Sequence, residues 1–263
     1  MTRRRRFDWL LLISITACAG VALAVEDRVV AAAFSSMQPG TAPPAGWVPL
    51  TVGGIKNRTQ YTLVSDGDAT VVRAESRAAA AGLSRTLHLN PAEFPWLRWR
   101  WKITNIIEQA DLRTKAGDDF PARLYVMFDY PMEKLPFVER SKLRLARALF
   151  DPDLPAATLC YVWDNNTPEE TIVTSAYSDR VRLIVVASGA ARVGRWVDFE
   201  RNIAADFRAA FGDAAPPVKA IAIATDTDNT GAAVSAFFGD ILFYKQRKVS
   251  VIKYIIAMMI LIY

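Results

Sequence analysis

The stretch Ala224 to Gly231, ATDTDNTG, places two aspartates, an asparagine and three threonines within eight residues. Its chemistry is that of oxygen atoms. Asp-x-Asp followed by Asn and Gly resembles the opening of a loop that wraps a hard cation such as calcium, which takes roughly six to eight oxygen ligands. The EF-hand pattern itself fails, because Thr230 and Phe237 occupy the fifth and twelfth positions counted from Asp226. The same residue types also close tight turns by bonding to their own backbone. A capped turn between two strands is therefore the first expectation, a cation or ligand loop the second, and a pair of catalytic carboxylates the third.

Other chemistries have little material. His88 is the only histidine, and it alternates with Leu87 and Leu89 in RTLHLNP, as a strand residue would. Any Ser-His-Asp or Cys-His system would have to use it. A zinc site cannot be assembled from His88 and Cys160 without carboxylates filling the remaining positions. Gly53-Gly54 lacks the Gly-Lys-Ser/Thr of a phosphate loop. The remaining candidates for oxygen chemistry are Asp118 with Asp119, Asp129, and Asp164 with Asn165 and Asn166. Glycoside hydrolysis needs two carboxyls facing each other at about 5–9.5 Å. Asp119, Asp129, Asp164 and Asp228 could supply such a pair, but their spacing ties no two together.

A binding face is better supported. In LRWRWKIT, Leu97, Trp99, Trp101 and Ile103 share one side of a strand, and Arg98, Arg100, Lys102 and Thr104 the other. ARLYVMFD repeats the device, with Arg123, Tyr125 and Asp129 opposite Ala122, Leu124, Val126 and Phe128. Arg100, Arg123, Tyr125 and Asp129, with Trp163 at the rim beside Asp164 and Asn165, are the expected ligand-binding residues. Such a set can hydrogen-bond and stack on a sugar. The alternative for the Arg/Lys row is a solvated outer face.

Short β-like runs separated by turn signals carry these residues from Trp47 onward, including the pair flanking Asp66-Gly67-Asp68. Two stretches read as helices. One is Val138 to Phe150, with Arg140, Arg144 and Arg147. The other has Phe199, Ile203, Phe207 and Phe211 at four-residue spacing, with Asp198 as its cap and Gly212 as its end. About ten strands and two helices predict a mainly β fold: an antiparallel β-sandwich, jelly-roll or galactose-binding-like, with two peripheral helices. The domain spans 47–245. Residues 25–46, with three prolines, read as a flexible lead-in, and 246–263 as an atypical apolar tail shorter than the roughly 20 residues a bilayer requires.

The first 24 residues join four arginines, an apolar run from Trp9 and a terminal Ala22-Leu23-Ala24, the order of a secretory signal peptide. A periplasmic or secreted protein is expected. ITAC at Ile15 to Cys18 also resembles a lipobox, which would make Cys18 a lipidated N-terminus. The 263-residue chain is 52% hydrophobic and carries 32 basic and 27 acidic residues, a net +5. Losing residues 1–24 leaves 28 basic and 26 acidic residues, a net +2, and no nucleic-acid partner is expected. Cys160 then remains the only cysteine, so an exported chain has no internal disulfide.

YTLVSDG, LRWRWKI, GDDFPARLYVMFD, LCYVWDN, ATDTDNTG and FGDILFY, in that order, resemble a bacterial exported family known as domain of unknown function 3047. The likeness covers roughly Gly46 to Tyr244. It implies a single envelope domain and brings no activity. Val138 to Phe150 and the apolar tail stand outside the pattern. FFGDILFY is also similar to the last strand of carbohydrate-binding jelly rolls, whose aspartate often ligates structural calcium. That likeness implies a metal role for Asp240, and a structural calcium shared by Asp226, Asp228 and Asp240 is the candidate cofactor. The expected function is an envelope β-sandwich that binds a glycan or other polar ligand without catalysis. The alternatives are a carboxylate-dependent hydrolase of envelope polysaccharide and a scaffold held at the membrane through Cys18, the basic helix or the tail.

Overall fold

The computed structural model describes residues 27–40, 43–51, 57–149 and 153–247. The expected signal peptide, Cys18 and the expected tail beyond Arg247 lie outside the described residues. The chain runs through β1 (Arg28–Ala32), β2 (Val48–Leu50), β3 (Gln60–Asp66), β4 (Ala69–Arg77), β5 (Ala80–Leu89), β6 (Trp96–Ile103) and β7 (Arg123–Phe128). There follow α1 (Phe137–Leu149), β8 (Ala157–Asp164), β9 (Ile172–Thr174), β10 (Val181–Ser188) and β11 (Val197–Asn202). The last elements are α2 (Ile203–Phe211), β12 (Val218–Asp226), β13 (Ala233–Phe238) and β14 (Ile241–Tyr244).

These strands form a β-sandwich of two seven-stranded sheets. In the first sheet β6 is central. β11 pairs along one edge of it, and β13 and β14 share the other, with β4 and β3 beyond β13 and β1 beyond β14. The second sheet has the order β2-β5-β12-β7-β8-β10-β9. Its pairings are antiparallel except β8 with β10, which run parallel.

Period-2 alternation decides which side chains face inward. Leu97, Trp99, Trp101 and Ile103 from β6 meet Leu124, Val126, Phe128, Tyr161 and Ile223 from the other sheet in one core. Trp99 lies 5.1 Å from Tyr161 across the sandwich and stacks at 5.1 Å on Phe199 beside it. Every residue of β8 is buried, because the segment between β6 and β7 folds over the outer face of the second sheet. Leu112 and Phe120 there enclose Cys160, Val162, Leu183 and Val185 in a second, smaller core.

Two expectations are corrected. The lead-in is not simply flexible. Within it β1 pairs with β14, and Phe34 is fully buried, 5.3 Å from Trp47. Nor does the second helix begin near Phe199. β11 pairs with β6 residue for residue, Phe199 facing Trp99, and α2 starts at Ile203 with the Asn202 side chain accepting from Ala205 N–H. Asp198, the expected cap, lies on the strand opposite Arg100. A four-residue spacing is a multiple of the strand period as well as near one helical turn, so Phe199 and Ile203 fit either element. Gly212 ends α2 at φ 75°, and Phe207 packs on Phe128 at 4.6 Å.

Candidate functional site

The outer face of the first sheet is a ladder of charge and aromatic rings. Trp96, Arg98, Arg100 and Lys102 project from β6, opposite to its buried row. The Arg98 guanidinium lies 4.0 Å from the Tyr244 ring centroid, and its Nε donates to Glu200 Oε2 at 2.6 Å. Lys102 Nζ donates to Asp66 Oδ2 at 2.8 Å and sits over the Phe237 ring. The Trp196 indole folds across this face, its N–H donating to the same Asp66 oxygen at 2.6 Å. The hydrogen bond from Lys102, followed by the Trp196 bond and the nearby charges of Lys102 and Arg100, holds the Asp66 carboxyl below its ordinary value.

Arg100 is the exception in the row. It has no carboxylate within 4 Å among the described residues, and its guanidinium rests 4.6 Å from the Trp196 ring centroid. Gly239, between β13 and β14, makes room for it, since a Cβ there would lie 2.7 Å from Arg100 Cγ. A groove of about 680 Å³ opens at this point, lined by Arg98, Arg100, Asp198, Glu200, Asp240 and Tyr244 among others. Most of its acids are engaged. Glu200 pairs with Arg98 and Arg247, and Asp240 accepts from the N–H and hydroxyl of Ser35. Asp198 is exposed. A second groove of about 740 Å³ between β3, β4 and β13 carries Arg58 and Arg77 but no aromatic ring. The first therefore offers more to a ligand that both stacks and hydrogen-bonds.

The expected ligand-binding residues do not share one face. Arg100 lies on the outer side of the first sheet, whereas Arg123 and Tyr125 face the outer side of the second. Trp163 is fully buried in the central core, its indole N–H bound to Gly189 O at 3.0 Å. Asp164 is buried and accepts from Asn166 N–H and Thr167 N–H, and Asn165 Nδ2 faces the carbonyls of Ile107, Glu108 and Ala110. Asp129 is exposed beyond the end of β7. Alternation alone cannot say which sheet a strand joins, so it could not separate Arg100 from Arg123. Asp198, Glu200, Tyr244 and Trp196 were not foreseen as site residues, although RWVDFE reads as a β-like run in the sequence.

ATDTDNTG runs from the last residues of β12 into a turn, and most of its side chains are tied down. Thr225 donates to Pro121 O, and Thr227 bonds Ser76 Oγ and Ala79 N–H. Asp119, fully buried, accepts from the backbone and side chain of both Asn229 and Thr230. Asp226 accepts from Phe120 N–H and from two nitrogens of Arg123, whose third nitrogen lies 3.5 Å from Asp118. Burial lifts the Asp226 carboxyl to about 6 against the pull of that guanidinium, and it raises Asp118 and Asp228 too. The acids that converge are Asp119, Asp226 and Asp228, each with an oxygen within 4.8 Å of the others. Asp240 is not among them, being held by Ser35 near β1, so the expected trio is not assembled. A cation here would have to share oxygens already engaged by Arg123, Asn229 and Thr230.

None of the curated proteins matches the chain. Among solved structures, similarity extends to a mutant of a family 29 carbohydrate-binding module, with 10% identity over 83% of this chain and 85% of that one and a TM-score of 0.32. It extends also to the family 30 carbohydrate-binding module of a cellulosomal cellulase of Clostridium thermocellum, with 11% identity over 84% and 99% and a TM-score of 0.37. The apo form of a cyclase from Fischerella gives 12%, 84% and 99%, with a TM-score of 0.33. At such scores these likenesses carry no weight beyond themselves, and the fold assignment rests on the two sheets. A family model described as protein of unknown function, DUF3047, matches residues 45–242, most of the chain and nearly all of the sandwich, and the chain belongs to that family.

Proposed function

We propose that this is an exported protein of the bacterial cell envelope whose β-sandwich binds a glycan or similar polar ligand, without catalysis, in the groove over Arg98 and Arg100. The observation that carries the reading is Arg100. Among the described residues its guanidinium has no carboxylate within 4 Å, rests 4.6 Å from the Trp196 ring centroid, and opens onto a groove beside the exposed carboxylate of Asp198. A guanidinium without an ion pair among the described residues, a carboxylate acceptor and the Tyr244 ring in the groove lining suit neighbouring hydroxyl and carboxyl groups on a saccharide. The remaining groove acids already hold structural partners, which leaves no free pair of carboxylates for a hydrolase. Export is supported by the arginine-rich start, the apolar run and Ala22-Leu23-Ala24.

The direct test is a glycan array probed with the purified protein, followed by calorimetry on the best ligand. Arg100→Ala is expected to weaken binding about tenfold or more, as loss of a charged hydrogen bond would. Equal binding by wild type and Arg100→Ala would place the ligand elsewhere and end this reading. Cell fractionation of a tagged chain tests export, and recovery only in the cytoplasm would refute it.

A further inference from the structure

We infer that α1 is a membrane-surface helix, which lays its outer face on an anionic lipid bilayer. Independently of the groove, α1 stands apart from the sandwich core. Among the described residues its Leu143 packs in a small cluster with Leu135 and Ala156, to which Tyr130, Met132 and Leu154 add partly buried contacts. The helix is pinned by its inner side chains. Arg140 donates to the carbonyls of Glu133 and Leu135, Arg147 to that of Leu154, and Glu139 accepts from Arg180. Two of the three arginines of the basic helix therefore serve the fold, leaving Arg144 and Lys142 exposed and without ion pairs among the described residues.

Phe137, Val138 and Leu145 are 78%, 61% and 60% exposed, while the other exposed large hydrophobic side chains among the described residues stand singly on separate elements. At about 100° per residue, Val138, Ser141, Leu145 and Ala148 form the centre line of the outer face. Phe137 lies beside it, Lys142 flanks it on one side and Arg144 on the other. An apolar stripe edged by cations on both sides fits the boundary between acyl chains and negative headgroups. There the rings and methyls sink in, and the two long cationic side chains reach outward to phosphate. The only carboxylate on the helix, Glu139, is turned inward to Arg180. A second copy of the chain fits less well, because two such faces would bring Lys142 and Arg144 against their own kind.

The test is co-sedimentation of the full chain with vesicles of phosphatidylcholine alone and of phosphatidylcholine mixed with phosphatidylglycerol. Wild type is expected to bind the mixed vesicles more tightly. Lys142→Gln with Arg144→Gln should weaken that binding about thirtyfold and leave binding to neutral vesicles unchanged. Phe137→Ser with Leu145→Ser should weaken both. All four side chains are exposed, so the variants should melt as the wild type does, which circular dichroism verifies. Wild-type binding by both variants would overturn the inference. So would a change of oligomeric state in light scattering with vesicle binding intact, which would name a second copy as the occupant.

Discussion

Arg123 and Asp226 form a buried ion pair on the outer side of the second sheet, Nε to Oδ1 at 2.9 Å, with Arg123 only 3% exposed. The pair ties β7 to the end of β12, and Arg123 Nη2 also donates to Asp118 O. Removing one partner leaves the other charge buried. Arg123→Met is expected to cost about 3–5 kcal/mol in urea unfolding. Arg123→Met combined with Asp226→Asn should recover part of that loss. A double variant no more stable than Arg123→Met would mean that the charges are not coupled.

The loop from Asp226 to Gly231 is stapled chiefly by Asp119. Asp119→Ala orphans the N–H groups of Asn229 and Thr230, and is expected to lower the melting temperature by about 5–10 °C. Calcium or a chelator should move the wild-type midpoint by less than about 1 °C, because Arg123 already supplies the counter-charge to Asp226 and hydrogen bonds occupy Asp119. A calcium-dependent rise that Asp228→Asn abolishes would instead put an ion among Asp119, Asp226 and Asp228.

Gly239 and Arg100 are coupled by space. A methyl group at residue 239 meets Arg100 Cγ at 2.7 Å and Nε at 2.8 Å, so the whole Arg100 side chain must swing to another rotamer. Gly239→Ala should cost about 1–3 kcal/mol of stability, because Cγ can clear the new methyl only if Arg100 changes its χ1 rotamer. Binding in the groove should fall toward that of Arg100→Ala. A variant that keeps full affinity would show that the ligand does not use the present position of Arg100.

Asp66 gives a pH dependence of known sign. Its folded carboxyl titrates below the ordinary value, mainly through the Lys102 hydrogen bond. Its contribution is therefore present above the unfolded value near 4, and is lost as pH falls through the lower folded value. The stability difference between wild type and Asp66→Asn should be constant above about pH 5.5 and shrink in acid. A difference that grows on acidification would contradict the assignment.

Much of this was legible in the residues themselves. The alternation in LRWRWKIT and ARLYVMFD identified inward and outward rows, and Trp99, Trp101, Leu124 and Val126 are buried as that pattern requires. Asp and Gly around Gly67 marked the β3–β4 hairpin, where Gly67 has φ 61°. ATDTDNTG was legible as a turn because its side chains are of the kind that bond nearby backbone.

The sequence by itself determined most of the strands, the faces of β6 and β7, and the sandwich class, since each follows from local periodicity and turn chemistry. Only the tertiary structure decided partnership. It set Arg100 and Arg123 on opposite outer faces, drew Trp163 into the core, joined Asp119 rather than Asp240 to the loop, and turned Phe199 onto a strand against Trp99. Each of those outcomes depends on which strands pair across long chain separations. Register between distant strands is fixed by the packing of the whole core, and no window of local sequence contains it.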